Sequence, residues 1–262
     1  MSILYIYIIF LTIIILISLL RVKKKTCILL TTAVHVNSDI HNINQKKNNI
    51  DYRKKQYIDV INSYIKKSSH PLYVVDSSGY SFPEFKNNDN VYIYSYNLNI
   101  AHNGYINKTP MEAISIIKAY DNFKLNRYDN IVKITGKYYI PNIDKYLNKM
   151  NNNALFYLQY THTKDKHNMH AYQATEIFGF KSCLISLFYK LSLLYDDETT
   201  LEYKTRNYNK TKDYYKLVIE PYIVIVLNKI PPNKLYRFPK MYLNKKIERG
   251  CNNCSRKYIT YL

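Results

Sequence analysis

Four short runs in this chain are built on aliphatic and aromatic residues without regular polar alternation, and they limit the folds open to it. They are Thr26 to Thr31 (TCILLT), Pro71 to Val75 (PLYVV), Val91 to Tyr94 (VYIY) and Asp129 to Ile134 (DNIVKI). A strand without polar alternation has no face to give to water, so it belongs in a sheet covered on both sides. Two helical segments supply the cover. From Asp51 to Lys67 the helical period puts Tyr57, Val60, Ile61 and Tyr64 on one face, with lysines elsewhere. A second helix is expected to open at Pro110, with Thr109 as N-cap and Glu112 in the first turn. Its apolar face is Ala113, Ile116, Ile117 and Tyr120. Strand, helix, strand, strand, helix, strand is the order of an α/β fold. The expectation is a Rossmann-like domain with a mostly parallel central sheet and helical crossovers.

The second half is less regular. Leu155 to Tyr160 suits a strand, and Tyr172 to Phe180 leads into an expected helix from Cys183 to Leu194. Asp196-Asp197-Glu198 is the one dense acidic cluster. Tyr214 to Leu227 reads as helix or strand and is ended by Pro231-Pro232, after which the chain is basic and weakly periodic. Three parts are expected: an anchor with a basic flank over 1–25, one domain over 26–245, and a basic tail over 246–262. The middle part is the size of one well-packed domain.

Ile3 to Leu20 carries no charge. As a helix, that stretch rises about 27 Å, close to the hydrocarbon thickness, so a membrane span is expected. A cleaved signal peptide fits less well, because no basic residue precedes the run and no small-x-small site follows it. Arg21, Lys23, Lys24 and Lys25 follow the span, and the flanking-charge rule then leaves the domain on the cytosolic side of a single-pass protein. The triplets Asn107-Lys-Thr, Asn209-Lys-Thr and Asn253-Cys-Ser are compatible with a lumenal domain instead.

A net charge of +19 favours anionic partners. The lysines are dispersed among Asn, Ile and Tyr, though, and no element concentrates them beside stacking aromatics, so no specific nucleic acid is expected. Cys251-Asn-Asn-Cys254 faces no second pair, and Cys27 and Cys183 stand apart, so unliganded thiols are expected. His162, His167 and His170 read as a polar loop, as do His35 and His41. There is no Gly-x-Gly-x-x-Gly after the first strand, no phosphate-binding Gly-Lys-Ser/Thr loop and no serine elbow.

Ligands of open α/β sheets bind beyond the carboxyl ends of the strands. Four places satisfy that: Thr31-Thr32, Asp76-Ser77-Ser78-Gly79, the loop before the Pro110 helix, and Thr135-Gly136-Lys137. Asp76 is expected to accept from a ribose or base amide while Thr31 and Ser77 donate to it. Lys108 and the free amides at the helix start suit a diphosphate. Lys133 and Lys137 would neutralise the same charge, with Gly136 letting the backbone approach. Singly, such hydroxyls suit strand-end caps and such lysines suit a solvated surface; together the four places favour a site.

The segments DSSGY at 76–80, GYINKTPME at 104–112, KITGKYYI at 133–140 and QATEIFGF at 173–180 give the chain a recognisable order of blocks. From Cys27 to Phe180 it resembles GT-A-like glycosyltransferases of polysaccharide gene clusters and large DNA viruses. In such sequences a Lys-x-Thr-Gly-Arg-Tyr-like segment enters the donor site; here Lys137 stands where arginine is usual, followed by Tyr138. The resemblance implies a nucleotide-sugar donor and a glycan, glycoprotein or lipid acceptor. It also implies a viral or host endomembrane setting. Many such enzymes hold Mn²⁺ or Mg²⁺ with an Asp-x-Asp at a strand end. None stands there in this chain, so either lysines compensate the leaving phosphate or another carboxylate serves. Inverting transfer needs a carboxylate base: Glu176, in the block resembling the acceptor half, then Glu202, then Asp197. Two rival readings are an inactive relative serving as a binding or structural protein at a membrane, and a basic protein that binds nucleic acid or acidic lipid.

Overall fold

The computed structural model describes residues 25–35, 50–97, 108–159, 175–192, 227, 230–248 and 258–262. Seven strands form one sheet in the order β3-β2-β1-β4-β6-β5-β7. They are β1 (Thr26–Thr32), β2 (Leu72–Asp76), β3 (Val91–Ser95), β4 (Asn130–Thr135), β5 (Phe156–Leu158), β6 (Ile177–Lys181) and β7 (Leu235–Arg237). β1 to β4 run parallel, β6 runs against both β4 and β5, and β7 is parallel to β5. The sheet is therefore mostly parallel, with β6 as its reversed strand.

Helices cover both faces, as strands that are apolar throughout require. All seven residues of β1 are buried. Helix α1 (Ile50–Lys67) buries Tyr57, Val60, Ile61 and Tyr64 in a core with Ile28, Leu30, Leu72, Val74, Val132 and Ile134. Helix α2 (Lys108–Asn122) places Ala113, Ile116, Ile117 and Ala119 with Cys27, Leu29, Tyr73, Val75 and Ile131 on the opposite face. Each buried aliphatic side chain contributes about 1.5–3 kcal/mol. α2 starts at Lys108, two residues before Pro110. That places Thr109 inside the helix, where it cannot be the N-cap.

Two short helices follow, α3 (Ile143–Leu147) and α4 (Ser186–Ser192), the latter entered through a 3-10 turn at Ser182–Leu184. The helix expected from Cys183 thus begins later. β8 (Tyr242–Glu248) pairs antiparallel with β9 (Tyr258–Tyr261) and runs across the expected domain boundary after residue 245. Fully buried Leu262 exchanges backbone hydrogen bonds of 2.9 and 3.1 Å with Met241, so the end of the basic segment returns to the core. The expected span at Ile3 to Leu20, the acidic cluster at 196–198, the segment from Tyr214 to Val226, His41, the three clustered histidines, Cys251 and Cys254 lie outside the described residues. Among the described residues no helix is long and apolar enough to cross a membrane.

α1 is tied to α3 through Asp144. Its Oδ1 accepts from Ser68 Oγ at 2.6 Å, and its Oδ2 accepts from Ser69 N and Oγ at 2.8 and 2.7 Å. Burial pushes this carboxyl up, but the Ser68 and Ser69 hydrogen bonds, helped by nearby His70, outweigh it and hold Asp144 below its ordinary value. A depressed carboxyl stabilises the fold fully above its unfolded-state value and loses that contribution as pH falls through the folded one. Asp144→Asn is therefore expected to lower stability at pH 7 and to flatten the stability profile as pH falls below about 5. Urea unfolding at several pH values checks this; an unchanged acid slope in the variant would refute it.

Candidate functional site

The chain lays down β1, β2 and β3 outward in one direction and then returns to place β4 on the other side of β1. Strand order reverses between β1 and β4, and ligands of open α/β sheets bind beyond the strand ends at such a point. Thr31 and Thr32 end β1 there, Thr135 ends β4, and Gly136 follows. Gly136 N donates to Thr31 O at 2.9 Å. A Cβ on Gly136 would lie 2.4 Å from Thr32 Cγ2 and 3.1 Å from Thr31 O, so only glycine lets the two strand ends nest this closely.

Successive residues of a strand face opposite sides. Thr31 and Thr32 accordingly feed two different polar clusters. On the α1 side, Thr32 Oγ1 donates to Asp76 Oδ2 at 2.9 Å, and Val34 N donates to the same oxygen at 3.1 Å. Asp76 Oδ1 accepts from Ser78 N at 2.8 Å, Ser78 Oγ at 2.5 Å and Tyr80 N at 3.1 Å. Gly79, at φ +84°, gives the turn a backbone that other residues resist. Asp76 is fully buried, and five protein donors occupy its carboxylate. It organises the turns after β1 and β2, and no acceptor is left for a ribose or base. The expected donors are corrected too. Ser77 donates to Thr32 O, at 3.3 Å, and Thr31 donates to Glu112 on the other face.

That second cluster, on the α2 side, centres on Lys133. Its side chain is fully buried, which fits neither a lysine facing a diphosphate nor a solvated one. Nζ donates to Thr175 O at 2.7 Å and Thr135 Oγ1 at 3.0 Å, sits 5.5 Å from the Phe178 ring centroid, and pairs with Glu112 Oε1. Thr31 Oγ1 donates to the same Glu112 oxygen at 3.2 Å. Lys133 is thus already neutralised by Glu112, which corrects its expected role as a counter-charge for phosphate. Glu112→Ala would leave that cation buried and unpaired. Because Glu112 keeps 19% of its side chain exposed, the loss is expected at about 2 kcal/mol, below that of a fully buried pair. Urea unfolding measures it, and a variant as stable as the parent would contradict the pairing.

Glu176 reaches the same edge. Its carbonyl accepts from Thr135 N at 2.8 Å, because β6 runs antiparallel to β4 and begins where β4 ends. Tyr138 is buried to 1% exposure and accepts at its carbonyl from Tyr64 Oη at 3.1 Å, so it supports the core. Lys137 stands half-buried beside it, with Nζ 5.1 Å from the Tyr138 ring centroid. Lys108 opens α2 at the same end of the sheet; its side chain, and Glu202 and Asp197, lie outside what is described. Tyr80 and Val34, whose amides hold Asp76, and Thr175, whose carbonyl holds Lys133, were not anticipated. Backbone partners leave no mark in a sequence.

The described residues do not fit a divalent cation. Among them no three His, Cys, Asp or Glu side chains come together, Asp76 has no free oxygen, and one oxygen of Glu112 is held by Lys133.

No family model and no curated protein matches the sequence. Solved structures that align with the chain include glycosyltransferases. One is involved in the glycosylation of the major capsid of PBCV-1, at 10% identity and TM-score 0.41, covering 80% of each chain. Another is GlyE of Streptococcus pneumoniae TIGR4, at 7% identity and TM-score 0.43, covering 82% of this chain and 45% of that one. A third is the bifunctional enzyme WbbM, at 13% identity and TM-score 0.42, covering 84% of this chain and 39% of that one. This chain spans less than half the length of the last two.

Proposed function

We propose that this chain is a glycosyltransferase that moves a sugar from a nucleotide-sugar donor to an acceptor hydroxyl on a glycan, glycoprotein or lipid. The observation that carries the reading is the pair of polar clusters, Thr32–Asp76–Ser78 and Thr31–Glu112–Lys133–Thr135, flanking the β1/β4 reversal. The resemblance of the sequence blocks points the same way. The apolar run Ile3 to Leu20 serves as a membrane anchor, and its basic flank favours a domain on the cytosolic side.

In this reading the donor lies across the ends of β1 and β4. Lys137 and the amides at the start of α2 face the diphosphate and stabilise it as it departs. Glu176 takes the proton of the acceptor hydroxyl. The hydroxyl oxygen then forms a bond to the anomeric carbon as the bond from that carbon to the phosphate oxygen breaks. The electron pair of the broken bond leaves on the phosphate.

A thermal-shift series on the full chain in detergent tests this, using UDP-, GDP- and CMP-sugars with and without Mn²⁺ at two salt concentrations, followed by assay of released nucleotide. One nucleotide class should stabilise the protein at both salt concentrations and be released. A shift that collapses with salt and ignores the sugar would mark an electrostatic binder. Binding without release would mark an inactive relative, and no shift in folded protein would overturn the reading.

A further inference from the structure

Lys133 stands where an apolar side chain would pack at least as well. It is fully buried, and its strand partner in β1 is Leu29. A buried ion pair seldom stabilises a fold more than apolar residues of the same volume, so its presence at the strand-end crevice asks for a use.

The geometry of Glu112 supplies one. Both donors, Lys133 Nζ and Thr31 Oγ1, converge on Oε1. Oε2 bonds to none of the described residues, and Glu112 keeps 19% of its side chain exposed. Two fixed donors on one oxygen orient the carboxylate and leave the other oxygen presented at the β1/β4 crevice. The ion pair has no net charge, and a carboxylate oxygen only accepts. A phosphate there would meet a like charge. The part of a ligand that fits is a neutral hydrogen-bond donor, and hydroxyls are the donors every nucleotide sugar carries whatever its base.

We propose that Glu112 recognises a sugar hydroxyl of the donor through Oε2, with Lys133 and Thr31 as the residues that position it. This assignment rests on the donor-site reading and divides the site by chemistry: hydroxyls at Glu112, diphosphate toward Lys137. The hydroxyl belongs to the ribose or to the transferred sugar, and the arms of the test separate these sources.

Calorimetric titration of the full chain in detergent would use uridine and guanosine diphosphates, their 2′-deoxy analogues, their glucose conjugates, and inorganic pyrophosphate. The parent protein should prefer the ribonucleotide to its deoxy analogue if the ribose is read, or the glucose conjugate to the diphosphate if the sugar is read. Either ratio should be about tenfold or more, as a hydrogen bond to a charged group gives. Glu112→Gln should cut that ratio by about fivefold, a neutral acceptor being weaker, while pyrophosphate binds as well or better because a like charge is gone. The double variant Glu112→Leu/Lys133→Met removes both charges together, which protects the fold, and should bring the ratio to about one. A ratio unchanged in either variant, or a parent that binds nucleotides without preferring any hydroxyl, would overturn this assignment alone. No binding of any nucleotide by the folded parent would overturn the donor site itself.

Discussion

Glu176→Gln is expected to lower donor turnover by about a hundred- to ten-thousandfold, the range that positioned proton transfer supplies. Donor affinity should stay within about threefold, because a base acts on the acceptor and in the transition state. The substitution is well suited to the question. Glu176 holds the end of β4 through its main-chain carbonyl, which accepts from Thr135 N at 2.8 Å, and a side-chain amide leaves that bond intact. Steady-state kinetics with each donor that stabilises the protein would give both numbers. A large fall in turnover with unchanged affinity supports the assigned role. Unchanged turnover would remove Glu176 as the base and return the role to Glu202 or Asp197.

Asp76→Ala should be the most destabilising change at the site, by about 3–5 kcal/mol. Thr32 Oγ1 has a second acceptor in Val75 O at 3.2 Å. The amides of Val34, Ser78 and Tyr80 lose theirs, at the turns that shape one side of the crevice. Asp76→Asn should cost nearly as much, since its NH2 group would be set against donors. Donor binding should fall in both variants although Asp76 touches no ligand. Urea unfolding beside donor titration distinguishes this from a ligand-contacting role. Were Asp76 to meet the ligand directly, Asp76→Asn would fold normally and lose affinity alone.

The parts of the fold that sequence makes visible are those where one short pattern decides one element. The run TCILLT has no polar face, and β1 is buried at every position. The helical spacing of Tyr57, Val60, Ile61 and Tyr64 names the buried face of α1. Where pairing is remote, the pattern is silent. Nothing in IFGF says that β6 inserts reversed between β4 and β5. Gly179 hints at a close approach, since a Cβ there would lie 3.1 Å from Val132 Cγ2 and 3.2 Å from Tyr157 Cδ2. The strand β8 hides because an irregular register between Tyr242 and Ile247 breaks its alternation. At the site, the sequence shows the hydroxyls and hides their partners. Neighbouring Thr31 and Thr32 point to opposite faces, so one serves Glu112 and the other Asp76. Lys133 reads as a surface cation by type, and its place between Val132 and Ile134 in a strand buried from Asn130 to Ile134 was the one sign of its burial.

Hydrogen–deuterium exchange of the full chain, with and without the nucleotide sugar that stabilises it, tests whether the donor lies across the ends of β1 and β4. Donor-dependent protection is expected in peptides covering Thr31 to Val34 and Thr135 to Tyr138, the turns that end β1 and β4. Protection confined elsewhere, such as the groove beside β3 lined by Phe82, Phe85, Val91 and Tyr92, would contradict it.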